Sequence, residues 1–178
     1  MNRLLVIPLL GLATVSYAAG PDRDTAVSII SAQKSIDGKL AHMWPDEPFF
    51  VLGTTHGVFL DGYGAVFTAE VNLATAPVNP MMPVPTKEMI DRHHKKKFER
   101  IPQLEQVMRE ALAQTAASMN TLAGTDRVVL AVSLTSYSWE PPGLPSQIVM
   151  QGQKADLVAA LNAGGGAQLA NVVKAEEY

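Results

Sequence analysis

Cysteine is absent from all 178 residues. That excludes disulfide staples, thiolate metal centres, iron–sulfur clusters and thiol nucleophiles together. Charge is also scarce: Asp, Glu, Lys and Arg make up 17% of the chain, with a formal net charge of −3. A general nucleic-acid binder needs a basic footprint, which this balance excludes. Aromatic residues are few, at 6%. No uninterrupted apolar run approaches the roughly 20 residues that a membrane-spanning helix needs. What is present is a 47% hydrophobic chain with 13 Gly and 12 Pro, long enough to bury one core of ordinary size.

The first residues read as an export signal. One positive charge at Arg3 precedes an apolar stretch from Leu4 to Leu12, and small residues follow at Ser16 and Ala18. This order predicts a signal peptide over residues 1–18, cleaved after Ala18. Pro8 and Gly11 interrupt the stretch, and its length falls short of a membrane span. Cleavage leaves 160 residues, and the loss of Arg3 takes the net charge from −3 to −4. The expected location is secreted or periplasmic, with no transmembrane segment after cleavage.

Along the remaining chain, Ala26, Ile29, Ile30 and Ile36 recur at helical spacing within Asp22 to Leu40. Trp44 to Pro48 is a stiff connector, since each proline fixes its own φ and biases the residue before it. Two strand-like runs, 49–60 and 65–73, flank Asp61-Gly62, a hairpin signal because glycine accepts the positive φ of such turns. Four prolines between Thr75 and Thr86 predict an extended crossover. Thr86 is placed to cap a long helix reaching about Leu122, with a kink or break at Pro102. Its second half carries Leu104, Met108, Ala111, Leu112 and Thr115 as a core-facing stripe. Strands are expected over 128–139 and 147–151, then a short helix over 154–161.

Gly164-Gly165-Gly166 is expected to release a flexible, Gly-rich C-terminal tail over residues 164–178. The expected fold class is therefore α+β within a single domain spanning residues 19–163. It consists of an antiparallel sheet of about four strands, with the long Pro-interrupted helix and the N-terminal helix packed on one face. The short strand Gln147 to Gln151 also offers an edge for assembly, although nothing in the sequence sets an oligomeric state.

The most distinctive run is Arg92-His93-His94-Lys95-Lys96-Lys97-Phe98-Glu99-Arg100. Concentrated positive charge on an otherwise acidic chain suits an anionic envelope lipid or polymer, or an acidic protein partner. The candidate binding residues are Arg92, Lys95, Lys96 and Arg100, with His93 and Lys97 at the flanks. Acid–base pairs at i,i+4, such as Glu88 with Arg92, suit a plain solvated helix face equally well.

His93 and His94 are adjacent, so their rings point about 100° apart on a helix and do not share an ion readily. No metal site is expected. His94 instead shares a face with Ile90, Phe98 and Ile101, as an edge-of-core histidine. No catalytic residues are assigned, because no Gly-x-Ser-x-Gly elbow is present. Glu70 and Glu140 form no spaced pair either. The glycines near the first hairpin lack the phosphate-cradling pattern, and no cofactor is expected. The expected function is a non-enzymatic binding or structural one. Its rival is a small secreted hydrolase or metal-dependent enzyme using His56, Asp61 and a strand serine such as Ser133. Tyr137, Trp139, Trp44 and Phe49 offer a further contact rim.

Overall fold

The computed structural model describes residues 22–46, 49–77 and 84–178. The expected signal peptide, the end of the stiff connector and the middle of the proline-rich crossover lie outside the described residues. Helix α1 (Arg23–Ala41) begins where Asp22 Oδ1 accepts from the Thr25 amide at 2.7 Å. This satisfies one of the amides that a helix start leaves unpaired. Helix α2 (Lys87–Ser118) is capped in the same way by Thr86, whose hydroxyl accepts from the Met89 amide. Its far end has no basic residue in the last turn. Lys154 reaches back instead, and its Nζ donates to the carbonyls of Met119 (2.8 Å) and Leu122 (2.7 Å).

Pro102 neither ends nor splits α2, which runs through it as one helix. A proline removes the hydrogen bond to the carbonyl four residues back, here that of Phe98. Both residues are exposed, so the orphaned carbonyl lies on the solvent side.

The strands are β1 (Phe50–Val51), β2 (His56–Leu60), β3 (Gly64–Asn72), β4 (Arg127–Leu134), β5 (Gln147–Gln153) and β6 (Lys174–Glu177). They form one mixed sheet in the order β1-β3-β4-β5-β6, with β2 also paired to β3. This is α+β, as expected, but with six strands rather than about four. The central pair β3–β4 is parallel, while every other pair is antiparallel. Parallel neighbours need a crossover, and α2 supplies it.

The first predicted strand is broken at residues 52–55, where Gly53 takes a φ of +75°. Asp37 Oδ1 draws this loop onto α1 by accepting from the Thr55 amide at 2.8 Å and its hydroxyl at 2.6 Å. Because β4 occupies one side of β3, β1 and β2 both lie along the other and form a single interrupted edge.

The C-terminal residues are a second correction. Far from a flexible tail, they form α4 (Ala167–Val172) and the edge strand β6, after α3 (Lys154–Asn162). Leu169 and Val173 are buried in the core, and β6 pairs with β5 from Lys174 opposite Gln151 to Glu177 opposite Ile148. The glycines provide the turn between two helices rather than a release point, with Gly164, Gly165 and Gly166 all at positive φ.

Alternation sorts the sheet into two faces. Ala65, Phe67 and Val71 of β3, Val128, Leu130 and Val132 of β4, and Ile148 and Met150 of β5 point to the helices, as one core with Ile36, Leu104, Met108 and Leu112. The opposite face carries His56, Val58, Thr68 and Glu70, all exposed. At the start of β3, Gly64 has a φ of +129°, and a Cβ there would lie 2.0 Å from the Arg127 carbonyl oxygen. Only glycine lets β3 and β4 begin side by side.

Candidate functional site

The basic run occupies the first half of α2, where the helix turns its charges two ways. Arg92, Lys95 and Lys96 fall at i, i+3 and i+4 on an outward face. Arg92 pairs with Glu88 at 2.8 Å, and Lys95 lies 3.8 Å from Glu99. These are the favourable i,i+4 pairs of an exposed helix, worth a few tenths of a kcal/mol each. Lys96 is half-buried.

The other three predicted residues do not flank this face. His93, Lys97 and Arg100 are buried, with Lys97 only 1% exposed. They continue the core stripe of Leu104, Met108 and Leu112 backward at helical spacing. That spacing is visible in the sequence, but charge alone suggested an outward face for Arg100 and a flanking one for Lys97 and His93.

The partners of His93 and Lys97 come from residues 135–140, which leave β4 before the strand predicted to reach Trp139 is complete. Glu140, whose side chain is 2% exposed, is the centre. Its Oε1 accepts from Lys97 Nζ at 2.7 Å and lies 3.0 Å from His93 Nε2. Lys97 Nζ also donates to the Thr135 carbonyl at 2.8 Å and sits 5.2 Å from the centre of the Tyr137 ring. Tyr137 and Trp139 stack with their rings 5.0 Å apart and 6° from parallel, and Trp139 meets His93 edge-on at 5.2 Å. Asn72, buried at the end of β3, donates to the Tyr137 hydroxyl at 2.8 Å. The aromatic residues read from sequence as a contact rim are thus split. Tyr137 and Trp139 close over the buried charges, while Trp44 packs edge-on against Phe49.

Burial lowers the His93 pKa below its ordinary value, and the neighbouring Lys97 charge pushes the same way. The Glu140 carboxylate and the Thr75 backbone pull against this shift. The shift is downward, and it favours a neutral ring. Lys97, with two acceptors and a ring face around its ammonium, is placed as an anchor rather than as a nucleophile. Among the described residues Glu140 Oε2 has no hydrogen-bond partner. The ion cluster therefore ties α2 to the 135–140 segment and leaves one buried acceptor over.

Arg100 performs the same task on the other flank. Its guanidinium donates to the Leu73 carbonyl and lies 4.6 Å over the Trp44 ring. Trp44 Nε1 in turn donates to Gln103 Oε1 at 2.7 Å, and Gln103 donates to the Met43 carbonyl. Trp44 is thereby fixed as one wall of an open groove of about 510 Å3, lined with Arg92, Lys95, Lys96, Glu99 and Arg100. Arg92 and Lys96 also line an adjoining cleft of about 250 Å3 with Thr75, Met89 and His93. The outward cations of α2 thus border two concave surfaces that share two residues.

The residues of the hydrolase alternative lie elsewhere. His56, Thr68, Glu70 and Ser133 line a shallow depression of about 240 Å3 on the opposite face of the sheet. Glu70 accepts from the Thr135 hydroxyl at 2.9 Å, and Ser133 accepts from Gln147 at 3.3 Å. Among the described residues no hydrogen bond joins His56 to either. Asp61 stands apart in the hairpin turn after β2, and Glu70 and Glu140 are separated, one exposed and one buried. No three potential ligands gather around a common point among the described residues. His94 is half-buried, and of the residues that share its side Ile101 is buried while Phe98 is exposed. The chain matches no protein-family model, no curated protein and no solved structure.

Proposed function

We propose that the protein is an exported binding module, and that the groove along the first half of α2 takes an anionic headgroup or polymer of the cell envelope. The observation that carries this reading is the groove itself, which brings Arg92, Lys95, Lys96 and Arg100 to one concave surface walled by Trp44. Exposed cations attract an anion over roughly a Debye length, about 8 Å at physiological ionic strength. A concave site adds direct contacts to that attraction. The buried cluster beneath supplies rigidity, since His93, Lys97 and Arg100 hold the helix that displays Arg92, Lys95 and Lys96. Among the described residues no helix is long and apolar enough to cross a membrane, so the binding proposed is peripheral.

The test compares the protein with an Arg92→Gln, Lys95→Gln, Lys96→Gln variant on vesicles of phosphatidylglycerol and phosphatidylcholine. Lys97 is left intact because it is buried. Binding should weaken with added salt and fall roughly tenfold or more in the variant, as expected when contacts each worth about 1 kcal/mol are removed. Binding that ignores both salt and substitution overturns the proposal. Absence of vesicle binding, together with salt-sensitive capture by polyglutamate beads, would replace the envelope ligand with an acidic partner protein.

A further inference from the structure

We infer that the β2 edge of the sheet is an assembly surface, and that its partner is β2 of a second copy of this chain. The two outer edges of the sheet differ. β6 ends the sheet with Lys174-Ala175-Glu176-Glu177, and its Lys174 and Glu176 form an ion pair at 2.8 Å. Charges of this kind protect an edge from further pairing. β2 reads His56-Gly57-Val58-Phe59-Leu60, with no formal charge when His56 is neutral, no proline and no bulge. Its Val58 is 53% exposed and its Leu60 48%. Gln147 to Gln151, the edge suggested by the sequence, is interior, since β6 covers β5.

The helix beside this edge repeats the pattern. Gln33 and Asp37 of α1 hold Thr55, just before β2, and a Cβ on Gly57 would lie 2.9 Å from Ile29. Thus α1 runs antiparallel to β2, with residues 33–37 near its start and residue 29 near its middle. Ile30 lies on the same flank as Gln33 and Asp37, at i, i+3 and i+7, and Val27 extends that row a turn earlier. Ile30 is 52% exposed and Val27 is 55% exposed. Among the described residues this uncharged strand pairs on one side only, with β3, and exposed apolar side chains border it on both faces of the sheet. Scattered apolar residues need no explanation, but a contiguous set along an open edge marks a contact.

The choice of a second copy follows from symmetry. Open backbone amides and carbonyls of a strand are satisfied by another strand. An antiparallel copy centred on Val58 sets Val58 against Val58 and His56 against Leu60, and brings no formal charges together when His56 is neutral. The two-fold axis of such a pair stands perpendicular to the sheet. It therefore keeps the helices on one side, and the Val27 and Ile30 row of each α1 faces that of the other. Val58 and Leu60 close the opposite side. Val58, Leu60, Val27 and Ile30 are all used by the same operation.

Sedimentation equilibrium on the purified protein over a range of concentrations tests this. A concentration-dependent dimer is expected. Val58→Lys should weaken it roughly tenfold or more, because it sets like charges directly opposite each other. Ile30→Lys, on the helix flank, should weaken it as well. Ala175→Lys on β6 should leave it unchanged. Val58 and Ile30 are exposed, and retained far-ultraviolet circular dichroism shows that each variant still folds. A monomer at all concentrations overturns the inference, and so does a dimer that survives Val58→Lys.

Discussion

Before Pro102, the inward stripe of α2 runs through His93, Lys97 and Arg100, with Ile101 beside the proline as its first apolar member. After it, the same stripe consists of Leu104, Met108 and Leu112. The two halves are equally buried and belong to one unbroken helix, yet they are held by different physics. The apolar half gains from area removed from water and accepts many neighbours of suitable volume. The charged half is stable only where each cation meets its own acceptor: Glu140 and Thr135 for Lys97, Leu73 for Arg100. Burying an unpaired ion is strongly unfavourable. That half therefore sets where residues 135–140 and the end of β3 lie against the helix, while the apolar half mainly sets how firmly the helix is attached.

Breaking one side of the contrast should have the largest effect. Lys97→Met leaves Glu140 buried with only His93 beside it and should cost about 3–5 kcal/mol, measured by urea unfolding. Adding Glu140→Gln should recover much of that loss, because the stranded charge is gone. Leu104→Ala should cost about 2–5 kcal/mol by opening a cavity, and Glu140→Gln should not recover it. Equal rescue of both variants would show that the two halves do not differ in kind.

A smaller effect separates the halves by pH. Burial and Lys97 hold the His93 pKa below its ordinary value, so the folded chain binds fewer protons here than the unfolded chain. Stability therefore rises with pH between the folded value and about 6.5, and falls on acidification through that window. The groups around the ring are Lys97, Glu140 and the Thr75 backbone. His93→Gln should flatten the pH dependence of the melting temperature below about pH 6.5. An unchanged slope would mean that other groups carry it. The smallest effect belongs to the outward cations: Arg92→Gln with Lys95→Gln should change stability by no more than about 0.5 kcal/mol, by thermal melting, since exposed i,i+4 pairs are weak.

Local signals were legible wherever a residue does one thing. Thr86 caps the longest helix, Asp61-Gly62 turns the hairpin, and the stripe after Pro102 faces the core, all as their types and spacings imply. Signals failed where two principles competed. Charge puts Arg100 on the outward face and Lys97 and His93 at its flank, whereas helical spacing sets all three inside with the stripe. Glu140 was visible only as an isolated acid, because its partners lie 43 and 47 residues away and nothing local announces them. The glycine triplet outweighed Leu169 and Val173, the residues that seat the C-terminal segment. The parallel pairing of β3 with β4 was hidden as well, since two strands joined through a long helix leave no mark on either sequence.

That central pairing also bears on how the chain reaches its fold. Gly64 stands opposite Arg127 and Val71 opposite Leu134, so the two middle strands of the sheet are among its most distant partners along the chain. The β2–β3 hairpin closes through a few residues and can form within microseconds, whereas β3 meets β4 only after the whole crossover has been laid down. Until then β3 carries an open side of small and apolar residues. The slow step of folding is therefore expected to be the docking of α2, and the early hairpin is the species most exposed to wrong pairing while it waits.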